Sequence, residues 1–290
     1  MDAIKKTDLI RPKDRASFGS LSTLPWWAII LALSGLILTY LIFSDSNYRE
    51  TFAFLKWGVL TTLRITFLAF PVATFLGLFI GLGRMSKNVF FFTFSTMYVE
   101  IVRGIPLVVL ILMIAFAVIP LFVQATNHIG AWGVYLLGDS FLDEVFLALK
   151  EFSIRDIPME IRAVIALALG YGAFEAEVFR AGIQSISKGQ IEAARSLGMN
   201  YFQSMRYIIL PQAIRRVLPP LGNDFIAMLK DSSLATVLAV NELTQLTRLR
   251  RSSTFRVMEA FNVAAFLYLA MTLLLSAGVR TLETRMKIEE

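Results

Sequence analysis

The chain has 290 residues, 56% of them hydrophobic and 17% charged, with a mean hydropathy of +0.65. Soluble domains of this size run to about 45–50% apolar and about 25% charged residues, so composition excludes a soluble globule as the main body. No cysteine is present, which excludes disulfides, thiolate nucleophiles and cysteine metal sites, and the net charge of +6 bears on membrane orientation rather than on nucleic acid.

The apolar residues fall in blocks long enough to cross a hydrocarbon core of about 30 Å, which takes about 20 helical residues. Residues 1–24 are polar and carry Lys5, Lys6, Arg11, Lys13 and Arg15. Pro25–Phe43 is then almost wholly apolar. It is longer than a signal-peptide core and lacks a small-residue cleavage site, so it reads as a retained anchor with Trp26, Trp27 and Tyr40 at its interfaces. The second span is Trp57–Leu82. It contains Arg64, expected to snorkel to the outer interface, and Gly77-x-x-x-Gly81, expected to serve close packing within the bundle.

Residues 88–103 end in Glu100 and Arg103 and are placed along the inner interface. Gly104–Val123 forms a third span. Residues 124–158 read as an irregular outer insertion with one short helix, where His128, the single histidine, has a plain loop role. Ile161–Phe179, Ile208–Leu229 and Val257–Val279 complete about six spans. With the N-terminus inside, the inner segments hold 17 of the 28 Lys and Arg residues, which favours both termini cytoplasmic. Arg248, Arg250 and Arg251 run against that bias. The expected fold is therefore an all-α integral membrane protein.

Residues 187–211, SKGQIEAARSLGMNYFQSMRYIILP, lie in the most basic inner loop. Ser187 with Gln190, and Asn200 with Gln203, have capping-box spacing, and Gly198 supplies a left-handed stop between the two short helices. Pro211 falls where a further helix can begin. Ile191, Ala194, Leu197, Phe202 and Met205 recur about every three residues, so one side can be buried. Helix physics alone leaves two readings open: an amphipathic hairpin on the lipid surface, or a docking element for a partner.

Glu192-Ala193-Ala194, Gly198 and Ile208-x-Leu210-Pro211 follow the spacing EAA-x3-G-x9-I-x-L-P throughout. This resembles the EAA loop of ABC importer permeases, whose coupling helix enters a cleft of the ATP-binding subunit. Tyr98–Pro106, Gly172–Arg180, Gly189-Gln190, Leu210-Pro211-Gln212 and Leu229–Leu234 further resemble the polar amino acid permeases of the histidine/glutamine/glutamate branch. The resemblance covers residues 51–285 and leaves 1–50 as a cytoplasmic tail and anchor. Ile105 and Ser232 stand where the family usually has Thr. Glu175 stands where it usually has an apolar or small residue, which bears on substrate preference and raises a cationic amino acid.

What the resemblance implies is a permease subunit importing polar amino acids into the cytoplasm across a prokaryotic plasma (inner) membrane. Its expected partners are ABC ATPase subunits, a second permease subunit, identical or related, and an extracytoplasmic solute-binding protein. The chain has no G-x-x-x-x-G-K-[ST] loop, so ATP and Mg belong to the partner ATPase and no cofactor is expected here. Glu192, Ala193, Ala194, Gly198, Ile208, Leu210 and Pro211 are the expected coupling residues.

Polar groups inside apolar helices mark candidate pathway residues: Glu175, Glu177, Asn223, Lys230, Asp231, Ser232 and Ser233. Glu177 with Arg180 also has the spacing of a plain ion pair. The stretch 223–233 suggests a broken helix, with Asp231 facing an ammonium group and a helix start near Ser232 or Ser233 facing a carboxylate. Lys230 and Asp231 read equally well as outer-interface caps. An intramembrane enzyme lacks a catalytic constellation in this sequence. A proton-coupled transporter or channel, with Glu175, Glu177 and Asp231 as a relay, is the alternative.

Overall fold

The computed structural model describes residues 26–137 and 142–286, and the expectations for the 1–24 tail lie outside them. Among the described residues every regular element is helical and none is a strand. The elements are α1 (Trp26–Ser44), α2 (Ser46–Gly83), α3 (Val89–Gly104), α4 (Leu107–Met113), a π turn (Ile114–Val118) and α5 (Ile119–Leu137). There follow α6 (Asp143–Glu151), a 3-10 turn (Ile154–Asp156), α7 (Met159–Gln184), α8 (Lys188–Ser196), α9 (Tyr201–Ser204), a second π turn (Met205–Ile209) and α10 (Leu210–Asp231). A 3-10 segment (Ser232–Leu238), α11 (Leu243–Thr254) and α12 (Val257–Met286) complete the chain.

Among the described residues, four stretches are long and apolar enough to cross a membrane: α1, α2, Leu107–Leu136 and α12 from Val257 to Thr284. The expected fourth and fifth spans, in α7 and α10, carry Glu175, Glu177 and Arg180, and Arg215, Arg216 and Asp224, respectively. Apolarity therefore does not mark them as it marks the other four.

Local chemistry sets the helix boundaries. Asp45 caps α2 by accepting from the Asn47 N–H at 2.7 Å, and Asn88 caps α3 through the Phe90 N–H at 2.9 Å, each satisfying donors the helix start leaves free. The region 124–137 is helix rather than irregular chain, which places His128, exposed, on α5. Helix α6 folds back against α5. The buried Arg162 guanidinium closes the return, donating to the carbonyls of Ile154 (2.6 Å), Ile157 (2.9 Å) and Ala115 (3.3 Å). Ala115 lies in the first π turn, where the loosened ladder makes a carbonyl available.

The centre of the molecule is α2 packed along α7. A Cβ on Gly77 would lie 2.8 Å from Glu175 Cβ and 3.1 Å from the Gly172 carbonyl oxygen, so the small-residue pair of α2 serves packing within this chain. Ile65, Ala69, Ala73, Leu167, Ala173 and Met228 belong to the core around this contact. The α1 anchor is peripheral: 6% of its apolar window is buried, against 39% for α2. Arg64 does more than snorkel, for it forms a two-pronged ion pair with Glu160 at the start of α7.

Candidate coupling elbow and polar core

Residues 187–211 form an elbow of two short helices. Gly198 sits at φ +76°, in the left-handed region that a side chain disfavours. Around it the Met199 N–H donates to the Ala194 carbonyl at 3.1 Å, the six-to-one bond of a glycine-terminated helix. The reciprocal cap at Asn200 is formed as its spacing predicts: the Gln203 N–H donates to Asn200 Oδ1 and the Asn200 N–H to Gln203 Oε1, both at 2.9 Å. At the other expected box, Gln190 Oε1 instead accepts from Gln212 Nε2 at 2.6 Å, tying α8 to α10. Arg216 donates to the Ser185 carbonyl at 2.5 Å, a second tie between the end of α7 and α10.

Pro211 does not start a new helix. Helix α9, the π turn and α10 follow one another without a break, and the Leu210 N–H reaches back five residues to Met205. A proline ring clashes with the carbonyl four residues before it, here Tyr207. The wider π coil relieves that clash. The apolar stripe of the elbow is only partly covered. Ala194 is buried, while Leu197 is 81% exposed and Phe202 82%. Glu192, Ala193, Leu210 and Pro211 are also exposed; Ile208 is half-buried.

Above the elbow, Glu177 is the hub of an ion cluster. It pairs with Arg84 at the end of α2, with Arg180 at 2.7 Å and with Arg103 of α3 at 3.5 Å, and Arg84 also approaches Glu100 at 3.6 Å. This is the ion-pair meaning of the Glu177–Arg180 spacing, widened to three arginines from three helices.

Helix α10 is continuous through Asn223 and Asp224 and passes directly into the 3-10 segment. The expected break takes the form of a change of winding at Ser232, from α to 3-10, rather than a gap in the helix. The Ser232 hydroxyl donates to the Leu229 carbonyl at 2.7 Å, carrying the coil onward. Asn223 and Lys230 are exposed, and Ser233 is half-buried. Asp231 accepts from the Tyr171 hydroxyl of α7 at 2.7 Å. Glu175, one turn beyond Tyr171, is entirely buried, and neither carboxylate oxygen has a hydrogen-bond partner.

One contributor escaped the sequence reading. Thr74 of α2 has a buried hydroxyl without a partner, and Asp224, within the polar stretch already singled out on α10, has one such oxygen. Helical spacing could have found Thr74, three residues before Gly77 on the same face. Beyond it opens a cavity of about 930 Å³ lined by Thr74 together with Phe67, Phe70, Phe225, Leu274 and Val279.

An all-helical, multi-pass chain with a capped elbow between two long helices has the architecture of a membrane permease subunit. The chain belongs to the family of binding-protein-dependent transport system inner membrane components, whose model matches residues 73–288. It is 33% identical to the probable glutamine ABC transporter permease protein GlnP of Bacillus subtilis over 84% of this chain and 98% of that protein. It is 34% identical to the nopaline transport system permease protein NocM of Agrobacterium fabrum, over 81% and 88% respectively. A crystal structure of an amino acid ABC transporter with histidines superposes with a TM-score of 0.64 at 36% identity, over 80% of this chain and 94% of that one. The protein is an ABC importer permease of the bacterial inner membrane, and the channel alternative drawn from its acidic residues falls away.

Proposed function

We propose that this permease moves a polar amino acid into the cytoplasm and is driven through its elbow by a separate ATPase. The observation that carries the reading is the left-handed Gly198 between two short helices, with the apolar Leu197 exposed beside it. Exposed Glu192 and Ala193 present a slim, charged helix face to a cleft. Movement imposed there passes from α8 into α10 through Gln190–Gln212, and from α10 to the end of α7 through Arg216–Ser185. In this reading Ile208, Leu210 and Pro211 form the stem of the lever, and the π turn is its compliant point.

The chain has no phosphate-cradling loop, so ATP and Mg are held, and ATP is hydrolysed, by the partner subunits. A second permease, identical or related, completes the path, and an extracytoplasmic solute-binding protein delivers the solute. Six spans with both termini cytoplasmic put the elbow on the ATPase side. The names of the relatives, glutamine and nopaline permeases, and the amino acid transporter of similar structure support the substrate class. Tyr171, Glu175 and Asp231 stand on the substrate path, while Glu177 holds α2, α3 and α7 together beneath it.

Gly198→Val tests the lever. A β-branched residue is strained in the left-handed region by about 1–2 kcal/mol, so the elbow should reshape. In the complete reconstituted complex, uptake is expected to fall by about tenfold or more while ATP hydrolysis continues. Wild-type coupling of hydrolysis to uptake in that variant would remove the assignment.

A further inference from the structure

Glu175 is anomalous on physical grounds. A carboxylate with no exposed surface and both oxygens unsatisfied is costly anywhere, and more so in a helix packed at the centre of a membrane protein. Such a residue is retained where a partner arrives during function.

Its neighbours show what that partner must be. Gly77 of α2 leaves the space that the Glu175 side chain fills, with a would-be Cβ only 2.8 Å from Glu175 Cβ. Thr74, on the same face of α2, comes near the carboxylate without the geometry of a hydrogen bond. Asp224 of α10 acts on Glu175 electrostatically, and its own Oδ2 is buried without a partner. One turn away along α7, Tyr171 donates to Asp231, and the charged groups acting on Tyr171 are Asp231, Asp224 and Glu175, all carboxylates. Thr74 also belongs to the wall of the apolar cavity of about 930 Å³. Three helices thus set carboxylates and hydroxyls in two levels, beside an apolar space wide enough for a side-chain stem.

From this juxtaposition we infer that Glu175 and Asp224, with the Thr74 hydroxyl, form a site for the cationic side chain of a basic amino acid, and that Tyr171 and Asp231 form the next level of the same track. A guanidinium or an ammonium supplies the donors these oxygens lack and neutralises the charge that burial penalises. The Asp224 carboxylate, the Thr74 hydroxyl and the apolar cavity wall together suit a long side chain with a charged end. The inference rests on the importer reading and names its substrate class.

The test replaces this permease alone in cells that carry the complete transporter. Uptake of labelled L-arginine, L-lysine and L-glutamine is then measured, with the assembled complex quantified by co-purification. The wild type is expected to take up arginine or lysine through this chain. Glu175→Gln and Asp224→Asn should each lower that rate by about tenfold or more and lower the ratio of basic to neutral uptake, at an unchanged amount of complex. Glu175→Asp, which keeps the charge, should retain the preference for basic substrates and shows that loss of charge is what matters. Wild-type uptake confined to neutral amino acids overturns the site and leaves the importer reading standing, as does unaltered arginine and lysine uptake in Glu175→Gln. If none of the three labelled amino acids depends on this chain for entry, the polar amino acid reading fails together with the site.

Discussion

Two glutamates among the described residues are completely buried, and they could hardly be treated more differently. Glu242, ahead of α11, accepts from the backbone N–H groups of Thr244 and Gln245, each at 2.7 Å, and from the Tyr268 hydroxyl at 2.9 Å. Its negative charge sits at a helix start, where the free amides and the dipole favour it. Glu175, in the middle of α7, has none of these partners. Burial alone therefore says little about purpose. Satisfaction of the buried oxygens separates a carboxylate that builds the fold from one held for a visitor.

The largest effect that would sharpen this contrast comes from Glu242→Ala. The change strips two amides and a hydroxyl of their acceptor in a site closed to water and removes the cap of α11. Unsatisfied buried donors cost about 1–3 kcal/mol each, partly relieved by local fraying, so a loss of about 3 kcal/mol is expected. The melting temperature of the detergent-purified protein, measured by aggregation, should fall by several degrees. An unchanged value would mean that Glu242 is dispensable to the fold and would erase the distinction.

Next in size is Gly77→Leu. Its added atoms would meet not only the Glu175 side chain but also the Ala176 nitrogen at 3.1 Å and the Gly172 carbonyl at 3.1 Å. Backbone atoms cannot swing aside, so α2 and α7 must separate, at a cost of about 1–3 kcal/mol. Lower melting together with faster proteolysis of α7 would agree with a shared α2–α7 contact beneath the acid site. Native resistance to protease in that variant would break it.

The same contrast explains what was legible in the sequence. The elbow was readable because its geometry is written in neighbours: Asn200 and Gln203 three apart, Gly198 at the end of a helix, and a spacing shared with a known family. Helices α1, α2 and α12 were readable because lipid demands long apolar runs. The acid site was only half visible. Glu175 stood out as a charge in an apolar run, yet its relation to Thr74 and Asp224 arises from three helices meeting, far apart along the chain. Asn223 drew equal notice in sequence and points away, because adjacent helical residues face about 100° apart. The continuity of α10 through its polar stretch was missed for a related reason. Asp231 is satisfied by Tyr171 of α7 and Asp224 is carried within a continuous turn of helix, and a sequence read in one dimension counts them as breaks. Glu242 gave no usable signal at all, since the cap it forms depends on a 3-10 segment ending at Leu238.

The smallest expected change in stability belongs to Glu175→Gln, and its smallness is its value. Removing one partner of a satisfied buried pair is costly because it strands the other. Glu175 has no hydrogen-bonded partner to strand, and the neutral isostere fills the same volume. The substitution also relieves repulsion from Asp224. The variant is therefore expected to melt at the wild-type temperature or slightly above it, the opposite sign from Glu242→Ala measured in the same detergent. The combination Glu175→Gln with Asp224→Asn should add less stability than the two single changes together, since either one already removes the repulsion between them. Strict additivity would mean that the two carboxylates act separately. A marked loss of stability in Glu175→Gln would show that this carboxylate, like Glu242, holds the fold together.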